Sequence, residues 1–137
     1  MKDFHIVLLQ ELNMEQRAVN IFAKEQTCQG FNVFWQKDMG NTWIRSVILV
    51  GKNIWARSVM THRDKNSDCC LVELRNFCVG SMYTSGKHDE GVIVAFLAGK
   101  QTYGKLIVWA GDWNEDVRED QTHFGTLIQD GWSVAMV

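Results

Sequence analysis

The sequence contains no proline, where average usage of about 5% would place some seven in 137 residues. A collagen-like chain is excluded on that ground. Basic charge is also in short supply: 14 Lys and Arg stand against 16 Asp and Glu, for a net charge of −2. A protein held to nucleic acid by bulk charge would be basic over the whole domain, so only a local basic strip remains open. Cysteine is confined to Cys28, Cys69, Cys70 and Cys78, with no C-x-x-C pair. Buried free thiols in a reducing compartment fit this pattern better than a zinc site or a disulfide framework. No apolar run approaches the ~18 residues of a membrane span, and Met1 to His5 lacks the layout of a signal peptide. An intracellular protein of the cytoplasm or nucleus, without a membrane partner, is expected. A Gly-rich phosphate loop, a G-x-S-x-G elbow and an H-E-x-x-H pair are missing too.

What the chain does have is core-forming material. Hydrophobic residues make up 46% and charged residues 22%, which argues for a packed domain over disorder or a coiled coil. Six tryptophans and seven phenylalanines favour large apolar contact surfaces, in a core or an interface. No linker, repeat or low-complexity segment interrupts the chain, so residues 1–137 read as one domain.

Ile6-Val7-Leu8-Leu9 is apolar at every position, as in a strand covered on both faces. A helix is expected next, capped by Asn13 with Gln16 three residues later, and stopped by Gly30. Met14, Ala18, Ile21 and Phe22 recur at the spacing of its apolar face. Strands follow over 31–35 and 43–50, the latter turning at Gly51-Lys52-Asn53 into a strand over 54–62. Residues 69–74 and 77–83 form another pair around Arg75-Asn76, and short polar connections throughout suggest antiparallel hairpins. If Cys69 and Cys70 share a strand, they point to opposite faces. Beyond Tyr83 a short helix carrying Val92, Ile93, Phe96 and Leu97 is expected, then a buried strand over 105–109. A last helix starting at Asp120 and an apolar end over 132–137 complete the chain. Helices near both ends and hairpins in the middle give an α/β or α+β sandwich.

Acidic and amide side chains directly follow both buried strands, in Gln10-Glu11-Leu12-Asn13 and in Gly111-Asp112-Trp113-Asn114. Catalytic groups collect outside the carboxyl ends of strands in such sheets. Carboxylate and amide oxygens also suit Mg²⁺, which takes one or two carboxylates plus phosphate oxygens. Singly, Glu11 also reads as a solvated strand-end acid and Asp112-x-Asn114 as ordinary turn chemistry. Their order along the chain, with Tyr83 closing a middle strand, is more specific.

That ordered set resembles the endonuclease/exonuclease/phosphatase superfamily. Residues 43–50, then Cys70-Leu71-Val72-Glu73-Leu74 and Val79-Gly80-Ser81-Met82-Tyr83, look most like its non-LTR retrotransposon endonuclease branch, and the resemblance runs from about Ile6 to Asn114. It implies part of a four-layer α/β/β/α sandwich with mainly antiparallel strands. By resemblance, Glu11 is the metal-binding glutamate, and Asp112 and Asn114 position the nucleophile or the phosphate. Tyr83 contacts the scissile phosphate, and Asn13 stands where members touch the nucleic-acid backbone. Mg²⁺ is the implied cofactor, with Mn²⁺ as a substitute, and nucleic acid the implied partner, DNA ahead of RNA.

The family also has an asparagine-bearing strand before the Q-E motif and a Ser-Asp-His motif well after G-D-x-N. Neither has a counterpart here; His123 lies only nine positions after Asn114 and is not promoted. The chain is therefore expected to be truncated at both ends. Losing part of one sheet would bare the other's apolar face, and a homodimer through that face is the expected remedy.

Arg45, Lys52, Arg57, His62, Arg63 and Lys65 offer a basic strip for a phosphate backbone, or simply a solvated sheet face. Of these, Arg45 and His62 are the candidates for substrate contact. Trp113, like Trp43, could stack on a base or pack internally. The acids of 112–120 read as a solvated loop before a helix rather than a second metal site. The functional expectation is a metal-dependent phosphodiesterase that nicks nucleic acid, weak or inactive without the missing histidine. The alternatives are a catalytically inactive remnant serving in binding or assembly, and a hydrolase of small phosphoesters.

Overall fold

The uniformly apolar run at the start of the chain forms β1 (Ile6–Leu9), and its neighbours explain why no position is polar. Val7 and Leu9 pack against one apolar cluster while Ile6 and Leu8 pack against another, so both faces are covered. The coordinates are a computed structural model that describes residues 5–37, 43–63, 67–84 and 105–112. Both helices expected after Tyr83 and the apolar end over 132–137 lie outside them.

β1 joins β2 (Phe31–Phe34) and β3 (Val47–Gly51) in an antiparallel sheet of order β1-β3-β2. Val47 and Leu49 face the helix α1 (Gln16–Cys28), whose Val19 and Ala23 close a core with Phe31, Trp35 and Ile44. Ile48 and Val50 face the other way, toward Cys70, Val72, Leu74 and Val79 of a second sheet. Alternate residues of one strand thus serve two cores.

The helix begins later than its sequence suggests, and Asn13 is not its cap. Glu15 occupies the N-cap position without a side-chain bond, and Asn13 sits in the left-handed region at φ 49°. The cause is competition for the backbone: Met14 N–H donates to Ile44 O (3.0 Å) and Ile44 N–H to Met14 O (2.8 Å). A residue bridged on both sides cannot also start a helix. Its apolar face is carried by Val19, Ala23 and half-buried Phe22, while Ile21 is 52% exposed. Gly30 ends the helical region at φ +98°, a conformation glycine adopts without strain.

The second correction concerns the hairpin expected at Gly51-Lys52-Asn53. β3 already has a partner on each edge, so no edge is left for the next strand. The chain leaves the first sheet, and β4 (Arg57–Arg63) starts the second. There β5 (Ser67–Glu73) and β6 (Phe77–Thr84) follow as antiparallel hairpins, and β7 (Leu106–Asp112) adds parallel to β6. Cys69 and Cys70 do point to opposite faces: Cys70 into the core between the sheets, Cys69 toward Met60, Met82 and Trp109. The Trp109 indole lies flat against β6 where residue 80 has no side chain; a Cβ on Gly80 would collide with it.

Among the described residues the result is an α/β architecture of one helix layer over two mainly antiparallel sheets. All four cysteines are free thiols, three of them buried. Among the described residues no helix is long and apolar enough to cross a membrane.

Candidate functional site

Strand register in the second sheet sets one row of the site. Arg63 on β4 aligns with Asp68 on β5, Asp68 with Tyr83 on β6, and Tyr83 with Asp112 on β7. β6 and β7 run parallel, so their carboxyl ends lie together, as the placement of catalytic groups in α/β sheets requires.

The first sheet reaches this row through a small hydroxyl–amide network. Gln10 Nε2 donates to Ser81 Oγ (2.8 Å), Ser46 Oγ donates to Ser81 Oγ (2.7 Å), and Ser81 Oγ donates to Leu9 O at 3.5 Å. Two accepted bonds and one donated bond use a hydroxyl's full capacity. Ser81 is buried and sits two residues before Tyr83, so the end of β1 is fixed beside the end of β6. Glu11 follows directly, exposed, at φ 56°. A non-glycine residue there is uncommon, and such conformations cluster at functional sites. The next residue is tied across as well: Leu12 N–H donates to Arg45 O at 3.3 Å.

Arg45 closes the arrangement. Its guanidinium carbon lies 5.0 Å from the centre of the Tyr83 ring, within cation–π range. Its backbone N–H donates to Asp68 Oδ2 (2.7 Å), and so does that of Ser46 (3.0 Å). Asp68 is only 1% exposed. Burial pushes its carboxyl up to about 6, against the pull of these N–H bonds and of the Arg63 and Arg45 charges. Burial also drives the Cys70 thiol well upward, helped by Cys69 and Asp68, which removes it as a nucleophile at neutral pH.

The structure therefore brings Glu11, Arg45, Tyr83 and the Asp112 backbone to one end of the sandwich. Asn13 is exposed two residues beyond Glu11. His62 pairs with Cys69, on the face opposite to Asp68 and Tyr83, and so stands apart from this row. Trp113 and Asn114 lie outside the described residues. The basic strip is divided: Arg63 ends β4 beside the site, whereas Arg57 begins that strand, about 20 Å away by strand geometry. Arg57 is bound there to Glu73 (Nη2–Oε1, 2.8 Å).

Among the described residues no three His, Cys, Asp or Glu side chains are grouped as a complete protein cage for a metal ion. Mg²⁺ does not need one, since it takes one or two carboxylates and completes its shell with phosphate oxygens and water. The exposed carboxylate of Glu11, on backbone held by the Gln10 and Leu12 bonds, fits that donor requirement. Sequence reasoning missed Asp68. Its signal was there in principle, because an acid opening the apolar run 69–72 is unusual strand composition.

No protein-family model and no curated protein sequence matches the chain. Among solved structures it is similar to the crystal structure of ANGEL2, a 2',3'-cyclic phosphatase, with a TM-score of 0.57 and 14% identity. The match covers 93% of this chain and 44% of that one, so the chain spans less than half of that structure's length. At such identity the likeness speaks for the fold alone. The two-sheet α/β sandwich described above is accordingly similar in fold to part of that structure.

Proposed function

We propose that this chain handles the phosphate in a metal-dependent phosphodiesterase acting on nucleic acid, of the retrotransposon-endonuclease type and with DNA as the first substrate to try. The observation that carries the reading is the 2.8 Å bond from Gln10 Nε2 to Ser81 Oγ. It ties the residue before Glu11 to β6, whose Tyr83 is the register partner of Asp112. The Ser81 Oγ bond to Leu9 O reinforces the same link.

In this reading Glu11 holds Mg²⁺, or Mn²⁺ in its place. The ion would neutralise charge on the phosphodiester and polarise it. Asp112 and Asn114 orient a water whose oxygen attacks phosphorus in line while the bond to the leaving sugar oxygen breaks. The proton released by the water passes to Asp112, and the leaving oxygen is protonated from solvent. Tyr83 and Arg45 contact phosphate oxygens, Asn13 touches the backbone, and Trp113 stacks on a base.

The test is nicking of supercoiled plasmid in Mg²⁺. Glu11→Gln and Asp112→Ala should each abolish it, and EDTA should stop the parent protein. A chain that leaves plasmid intact at every Mg²⁺ and Mn²⁺ concentration would sink the DNA reading. A second reading is favoured by the likeness to a 2',3'-cyclic phosphatase. That group forms only where a 2'-oxygen exists, so the substrate would be an RNA end. Release of ring-opened phosphate from a 2',3'-cyclic nucleotide, without plasmid nicking, selects it.

We also propose self-association through the uncovered part of β7, where Leu106 is 69% and Val108 44% exposed. Light scattering at micromolar concentration should give a dimer, and a monomer would exclude it.

A further inference from the structure

We infer that Asp68 is a positioning residue, whose buried carboxylate grips the successive N–H groups of Arg45 and Ser46 and thereby sets the Arg45 guanidinium against Tyr83. The functional part of this inference rests on the phosphate-handling reading above; the positioning itself does not.

The geometry is specific. A single oxygen, Oδ2, accepts both N–H groups, at 2.7 and 3.0 Å. Asp68 belongs to β5 in the second sheet, while Arg45 and Ser46 lead into β3 of the first. The carboxylate is thus a clamp between layers. Ser46 cannot drift either, because its hydroxyl bonds Ser81. With the backbone fixed on both sides of its Cα, Arg45 projects to the Tyr83 ring, and Tyr83 is itself the register partner of Asp68. One acid therefore determines where the backbone of the cation begins and stands beside the ring on which it ends.

A purely structural link would need no charge. Asp68 is nonetheless an acid in a buried setting, with Oδ1 lacking a hydrogen-bond partner. The charged groups around it are Arg45 on the segment before β3 and Arg63 on β4, and the titratable neutral ones are Tyr83 on β6 and Cys70 on its own strand. An ionised acceptor makes the stronger bond to N–H, so the grip is tightest above about pH 6, where Asp68 is charged.

The experiment uses the full ¹⁵N-labelled chain in two arms. In the first, the Arg45 and Ser46 amide protons are followed by NMR from pH 7.5 to 5. Both should move upfield with one shared midpoint near 6. The ring-current shift of the Arg45 side chain over Tyr83 should fall in step. In Asp68→Asn the titration should vanish, and the Arg45 shift should already be reduced at pH 7.5. Amides that do not titrate, or an unchanged Arg45 shift in Asp68→Asn, would overturn the inference.

In the second arm, affinity for a short single-stranded oligonucleotide is measured at pH 7.5. Removing a negative charge beside an anion site should by itself tighten binding. Asp68→Asn should instead weaken it about fivefold and Arg45→Gln about tenfold, with the double variant no weaker than Arg45→Gln alone, because Asp68 acts through Arg45. Tighter binding by Asp68→Asn, or additive losses, would overturn the inference. If the parent protein binds no oligonucleotide, the nucleic-acid reading fails, and the NMR arm still decides whether Asp68 positions Arg45.

Discussion

β5 carries an acid at each end, and the two are treated in opposite ways. Glu73 receives Arg57 of the neighbouring β4 through Nη2 (2.8 Å) and Nε (3.0 Å), and Lys105, which precedes β7, through Nζ (3.0 Å). The Lys105 and Arg57 hydrogen bonds hold its carboxyl below the usual range. Asp68 is sunk between the sheets with two backbone N–H groups for partners, and burial holds its carboxyl above the usual range. The first acid is a staple whose charged form its two cations favour. The second is kept charged at neutral pH against its surroundings. Local electrostatic tension of this kind is more common at functional sites than in scaffolding, and it falls at the end of the sandwich where Tyr83 and Asp112 are register partners and β1 leads into Glu11.

The most damaging way to test this contrast is Asp68→Ala. It strands the buried N–H groups of Arg45 and Ser46 and opens a space between the sheets. Unfolding in urea should show a loss of about 3–5 kcal/mol. Asp68→Asn keeps an acceptor and removes the buried charge, so its loss should be much smaller. Equal losses would mean that the charge alone matters, and neither the acceptor nor the filled volume that Asn retains.

Next in size is the pH dependence. Asp68 in the folded chain titrates near 6, well above its value of about 4 in an unfolded chain. The folded state therefore holds the proton more tightly. The associated stability is complete below pH 4 and is lost as pH rises through 6, by of order 2–3 kcal/mol. Glu73 has the opposite sign: its contribution is present above the unfolded value and disappears as pH falls through its lowered folded value. Denaturation curves from pH 4 to 7 should decline less steeply in Asp68→Asn than in the parent. An unchanged slope would show that Asp68 is not the buried acid being titrated.

A substitution between the two ends separates packing from charge. Gly80 lies midway along β6, and a methyl group there meets the Trp109 indole. Gly80→Ala should cost about 1–3 kcal/mol by overpacking, with the same slope against pH as the parent. A changed slope would mean that the two ends communicate through β6.

The layers of this molecule were legible in the sequence for a simple reason. Ile6 to Leu9 and Ile107 to Trp109 are continuous apolar runs and both form strands, although β7 is not the buried strand expected over 105–109, since Leu106 and Val108 are exposed. What was not legible depended on pairing between distant segments. The cap expected at Asn13 failed because Met14 bridges Ile44, thirty residues on. The hairpin expected after Gly51 failed because β1 and β2 already flank β3, which no local pattern announces. The site divides along the same line. Glu11, Tyr83 and Asp112 stand at strand ends and carry readable motifs. Asp68 has meaning only through Arg45 and Ser46, more than twenty residues earlier.

The smallest expected effect comes from the stapled end. Glu73→Gln removes the charge shared by Arg57 and Lys105 while keeping a side chain of the same shape. Arg57 is more than half exposed, and water and salt already weaken that pair. Melting temperature should fall slightly in low salt, and the difference from the parent should shrink toward zero in 1 M NaCl. Lys105 should stay in place, since its Nζ also donates to Leu74 O at 3.0 Å. Oligonucleotide affinity should not change, because this cluster sits at the end of the strand remote from Tyr83. A loss of affinity in Glu73→Gln would contradict the division of labour between the two acids, since it would make the staple part of the site.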